Sequence, residues 1–124
     1  MLKKEFKESL FAIFDAQVDG LTYDEKINYV EKLLLDYQKE HENKRDTSNK
    51  GKPWTDDELR IILADTPSKY NCLKFAKLFK RGYGSIEQIY RWAATTDEAV
   101  RQKRPDDKYI QQIKRIAKEL GLCC

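Results

Sequence analysis

The 124-residue chain contains a single histidine and three cysteines. With only His41, a histidine-centred triad and a multi-histidine metal site are both excluded. Cys72, Cys123 and Cys124 lack the paired spacing that holds zinc. They are expected as reduced thiols, Cys72 buried and Cys123–Cys124 in a frayed tail. No apolar run approaches the roughly 20 residues needed to span a bilayer, and Met1-Leu2-Lys3-Lys4-Glu5 lacks the apolar stretch of a signal peptide. The expected setting is cytoplasmic, bacterial or phage-encoded, or nuclear, with no membrane contact. Strand-like alternation is missing, as is a phosphate-cradling Gly-x4-Gly-Lys loop. The acidic pairs Asp56-Asp57 and Asp106-Asp107 read as helix starts favoured by the macrodipole, not as catalytic or metal-binding pairs. No enzymatic activity, cofactor or metal is therefore expected.

What the chain does have is charge, at 36% of residues, beside 40% hydrophobic ones. That mixture is too apolar for disorder and suits a thin-cored helical protein. The net charge of +3 hides an asymmetry: residues 1–42 hold six lysines against ten acids, and the remainder eighteen basic residues against eleven acids. An acidic first third is a poor match for nucleic acid, whereas the rest can supply phosphate-facing charge.

Helical periodicity runs the length of the chain. Phe6, Leu10, Ile13 and Phe14 predict a first helix over 3–17, broken at Asp19-Gly20. Thr22 and Glu25 form a capping box for a second helix carrying Ile27, Val30, Leu33, Leu34 and Tyr37, so an antiparallel hairpin is expected over 1–42. Its aromatic surplus packs either on the C-terminal helices or across a homodimer interface. Residues 43–53 read as a flexible basic linker. A second capping box, Thr55 with Glu58, starts a helix holding Leu59, Ile62 and Leu63. Asn71 is placed to cap the next helix, and Lys80 to Gly84 is a turn whose glycines suit positive φ. Ser85 then caps a helix to about Ala94 with Ile86, Ile89, Trp92 and Ala93 inward. Residues 97–124 add a short helix near Val100 and a last helix with an Ile110–Leu120 stripe, its outer face bearing Lys108, Lys114, Arg115 and Lys118.

Three short helices over 54–96 form a helix-turn-helix. Lys52-Pro53-Trp54-Thr55-Asp56-Asp57-Glu58-Leu59 resembles the opening of a Myb/SANT repeat of the homeodomain-like group, and Ser85-Ile86-Glu87-Gln88-Ile89-Tyr90-Arg91-Trp92-Ala93 is similar to that family's third helix. Two departures stand out: Cys72 or Leu73 replaces the middle Trp, and the last Trp is displaced to Trp92. The resemblance implies an all-α fold and sequence-specific binding of double-stranded DNA, as a transcriptional regulator. It implies base contacts by Ile86, Glu87, Tyr90 and Arg91. Phosphate contacts are expected from Lys52, Lys69, Lys77, Lys80, Arg81, Tyr83 and Ser85, the last with the helix N-terminus it caps. The alternative is a SANT-type protein-interaction module, an adaptor or inhibitor in a small phage or bacterial system, because Glu87 repels phosphate. A homodimer through residues 1–42 is the expected assembly.

Overall fold

In the computed structural model the chain is all-helical; residues 1–122 are described, and no strand occurs among them. The expectation for Cys123 and Cys124 lies outside the described residues. The helices are α1 (Lys3–Phe14), α2 (Tyr23–Glu40), α3 (Asp56–Leu63), α4 (Lys69–Phe79), α5 (Tyr83–Ala94), α6 (Asp97–Lys103) and α7 (Lys108–Glu119), with a 3-10 turn at Glu42–Lys44 between α2 and α3. No helix among the described residues is long and apolar enough to cross a membrane. The chain divides into two units, Met1–Leu34 and Leu35–Cys124.

In the first unit, α1 stops at Phe14, earlier than its apolar pattern, and the chain turns at Gly20, whose φ of +81° suits glycine. Thr22 and Glu25 make the expected capping box: Glu25 N–H donates to Thr22 Oγ1 at 3.3 Å and Thr22 N–H to Glu25 Oε1 at 3.1 Å. Lys26 Nζ donates to the carbonyls of Phe14 and Ala16 at 2.7 and 3.1 Å, satisfying acceptors orphaned at the end of α1. Neither α1 nor α2 has a buried residue, and Leu10, Phe14, Ile27 and Val30 are half-buried.

The core belongs to the second unit. Leu59 and Ile62 of α3, Ile86 and Ile89 of α5 and Ile113 and Ile116 of α7 are fully buried. α5 lies between α4 and α7, and α7 also packs on α3. Trp54 leads into α3 from the core edge, its ring edge-on to Phe79 at 5.7 Å. Thr55 Oγ1 accepts from Glu58 N–H at 3.2 Å, and Glu58 Oε1 from Thr55 N–H at 2.9 Å. Thr55→Ala is expected to cost about 1 kcal/mol, lowering Tm by about 4–8 °C for a unit of this size, as measured by calorimetry.

Two helix starts differ from expectation. Ser68, not Asn71, caps α4, accepting from Asn71 N–H at 3.0 Å; Asn71 is buried and donates to the Thr66 carbonyl and Asp65. α5 begins at Tyr83 rather than after Ser85. The positive φ between α4 and α5 falls on Lys80, at 57°, whereas Gly82 has φ −74° and Gly84 is helical.

The segment expected to be a flexible linker is fastened down. This segment donates to carbonyls at the end of α4, Asn49 Nδ2 to Phe79 O at 3.0 Å and Arg45 Nη1 at 3.4 Å to Ala76 O, which the N–H groups of Lys80 and Arg81 also reach; just past the helix, Asn49 N–H donates to Lys80 O at 3.1 Å. Polar side chains anchor it, so its lack of apolar residues concealed the anchoring. Lys114, expected on the outer face of α7, is buried; its Nζ donates to the carbonyls of Ala93 and Thr95 at 3.2 and 2.6 Å, closing the end of α5.

Surface carboxylates tie the helices together. Asp56 accepts from Arg115 and Gln112, Asp97 from Lys118, and Glu119 from Arg60, and these donors hold each carboxyl below its ordinary value, 3.8 for aspartate and 4.5 for glutamate. A folded-state value below the unfolded one gives stability that is complete above the ordinary range and lost as pH falls through the folded value. Melting temperature is therefore expected to be level near neutrality and to fall in acid, with a shallower acid limb in the combined variant D56N/D97N/E119Q. An identical limb in that variant would contradict the linkage.

Candidate functional site

α5 has a stripe at steps of three and four, Ile86, Ile89, Tyr90 and Ala93, that is buried. The opposite side carries Gly84, Gln88 and Arg91 exposed, with Ser85 and Glu87 half-buried. This geometry corrects two of the four expected base contacts. Ile86 is fully buried, and Tyr90 sits in the core with its hydroxyl donating to the Ile62 carbonyl at 2.8 Å, burial pushing its phenol pKa up. Glu87 and Arg91 stay on the outer side, paired at 3.1 Å with side chains 45% and 64% exposed. At that exposure an i,i+4 pair contributes only about 0.3–0.5 kcal/mol, so Arg91 can exchange Glu87 for another acceptor at little cost.

Beside the start of this stripe runs a groove of about 480 Å³, lined by Lys52, Trp54, Arg81, Ser85, Gln88, Lys108, Tyr109 and Gln112 together with Gly51 and Pro53. No acidic residue lines it. The Lys52 ammonium reaches the side-chain oxygen of Asn49 at 3.2 Å, while Lys108 is exposed in the first turn of α7. Tyr109 packs against the core, and burial pushes its phenol up to about 12 although the charge of Arg81 acts the other way. At neutral pH it is a neutral hydroxyl able to donate to an oxyanion.

Arg81, expected at a phosphate, is instead a structural part of the groove wall. It is 3% exposed, its guanidinium lies 3.9 Å from the Trp54 ring centroid, and its two terminal nitrogens donate to the carbonyls of Lys52 and, at 3.0 Å, Pro53. Tyr83 is also corrected: it is buried, with the Lys39 ammonium over its ring at 4.6 Å. The expected phosphate site at the N-terminus of this helix is corrected too, because the Glu42 carboxylate already accepts from Tyr83 N–H there. Lys69, Lys77 and Lys80 are engaged within the chain, by Asp36 at 2.7 Å, Gln38 Oε1 at 2.9 Å and Asp46 at 3.4 Å. Of the seven expected phosphate contacts, Lys52, Arg81 and Ser85 line the groove, and Arg81 is spent on backbone carbonyls and the Trp54 ring.

Sequence reasoning passed over Gln88, Lys108 and Gln112 as functional residues. The inward stripe of α5 was itself the signal for Gln88, because it leaves residue 88 on the outer side with residues 84 and 91. Gln112 Nε2 donates to Trp54 O at 3.1 Å and Asp56 Oδ1 at 2.9 Å, tying α7 to the start of α3. Only the tertiary packing of α7 on α3 and α5 brings Lys108 to this place.

Residues 48–124 match the family described as Uncharacterised protein PM1205 C-terminal domain. The chain belongs to the PM1205 family. It is 48% identical over 123 residues to Uncharacterized protein PM1205 of Pasteurella multocida (strain Pm70), an alignment covering 98% of each chain. No solved structure matches it. The segment matched to the PM1205 family begins in the fastened linker and includes every residue lining the groove and every residue of α5.

Proposed function

We propose that the second unit binds double-stranded DNA with sequence preference, as a regulator of transcription, presenting the outer side of α5 to the major groove. The observation that carries this reading is the run of exposed polar side chains, Gln88 and Arg91, continuous with an acid-free groove that holds Lys52 and Lys108. An arginine can donate twice to guanine O6 and N7, and a glutamine can pair with adenine N6 and N7. Lys52, Lys108 and the neutral Tyr109 hydroxyl are suited to the phosphates flanking that contact. The resemblance of Trp54-Thr55-Asp56-Asp57-Glu58 and of α5 to a Myb/SANT repeat supports the same assignment. Selection from a random duplex pool tests it: a shared motif should be enriched, and a pool that stays random after repeated rounds rejects sequence readout.

A second reading, a SANT-type interaction module that binds another protein, is favoured by the Glu87–Arg91 pair and by the partners already held by Lys69, Lys77 and Lys80. These features lower the positive field an approaching duplex would meet.

A further inference from the structure

The first unit exposes apolar surface out of proportion to its length. Among the described residues, ten of the sixteen exposed large apolar side chains fall in Met1–Leu34, against six in the longer second unit. On α1, Phe6 and Ile13 are 59% and 68% exposed and stand two turns apart on one face. A helix of 12 residues with nothing buried is marginal by itself in water, where isolated helices shorter than about 12–15 residues barely hold. Exposed apolar side chains gathered on one helix face point to an interaction site.

The charges on the same helix specify the occupant. Lys3, Lys4 and Lys7 crowd its start, offset only by Glu5, while the stretch from Glu8 to Asp19 carries Glu8, Asp15 and Asp19 and no base. Cations at the N-terminus and acids beyond the C-terminus both oppose the helix macrodipole. A second α1 lying antiparallel relieves each end, and a two-fold axis makes the two contacts identical. The register that sets Phe6 against Ile13 of the second copy also brings the lysine-bearing start of each α1 alongside the acidic end of the other. A parallel pair would set lysines against lysines.

We infer that the first unit is a dimerisation element whose partner is a second copy of this chain, α1 against α1 in antiparallel register. Apolar contact between Phe6 and Ile13 supplies the attraction, and the opposed charges set the direction. Sedimentation equilibrium of the full chain under reducing conditions should return twice the 14.7 kDa chain mass. The variant F6D/I13D should return the single-chain mass with the thermal transition of the second unit unchanged. The variants K3E/K4E/K7E and D15K/D19K should each be monomeric alone, and their equimolar mixture should recover the doubled mass. A monomeric full chain at increasing concentration overturns the dimer, as does a dimer indifferent to F6D/I13D. Charge variants that dimerise alone, or a mixture that stays monomeric, overturn the antiparallel register.

Discussion

Replacing Arg81 by methionine is expected to lower the stability of the second unit by about 2–4 kcal/mol, the balance of lost charged hydrogen bonds and relieved desolvation. The guanidinium is 3% exposed and has no carboxylate partner among the described residues; its charge is met by two backbone carbonyls and the face of Trp54. Methionine preserves much of the volume and removes the cost of burying a cation, but it leaves the carbonyls of Lys52 and Pro53 without donors. It also forfeits a desolvated cation–π contact of about 2 kcal/mol. Lysine should not rescue, because one ammonium cannot reproduce a planar fork that donates to two carbonyls while stacking on a ring. Urea unfolding monitored at Trp54 reads the effect. A methionine variant within about 0.5 kcal/mol of the parent, the usual range of an inconsequential surface change, would show that Arg81 does not hold the linker to α4 and α5.

Arg81 also shows where sequence patterning was sufficient and where it was not. Thr22, Thr55, Thr96 and Asp107 precede their helices with local capping bonds, so those starts were readable from a few adjacent residues. The α5 start was not, because Gly82 offers no side chain and the capping carboxylate comes from Glu42, 41 residues away. The linker misled for a related reason: its contacts are hydrogen bonds to carbonyls of α4, to which hydrophobic periodicity is blind. At the candidate site, Arg91 and Glu87 were readable from α5 alone, as was the outward place of Gln88. Family analogy puts Ile86 and Tyr90 at base edges: for Ile86 the sequence stripe already argues the reverse, whereas that stripe takes in Trp92 and not Tyr90, whose burial comes from the packing. Lys108 reached the groove through packing between elements distant in sequence.

Substitutions around α5 are expected to separate into two classes of binding defect. Gln88→Ala and Arg91→Ala should each remove about 1–3 kcal/mol of discrimination at one base position of a selected duplex, while leaving affinity for an unrelated duplex near the parent value. Lys52→Ala and Lys108→Ala should weaken selected and unrelated duplexes alike and each reduce the salt slope by about 1. The difference is physical: base edges vary with sequence, whereas phosphates repeat along every duplex. Each of these side chains is exposed, so folding should survive, and circular dichroism of each variant checks that it does. Equal effects from all four on both duplexes would remove Gln88 and Arg91 as readers.

The most direct test of the proposed function is the affinity of the full chain for duplex DNA as a function of salt, followed by fluorescence anisotropy. A protein that neutralises several phosphates releases their counterions, and log K falls linearly with log salt at about −0.9 per phosphate. With Lys52 and Lys108 at phosphates, the expected slope is about −2. Binding that is absent at low salt, or indifferent to salt, contradicts DNA recognition by this surface and leaves the protein-interaction reading in its place.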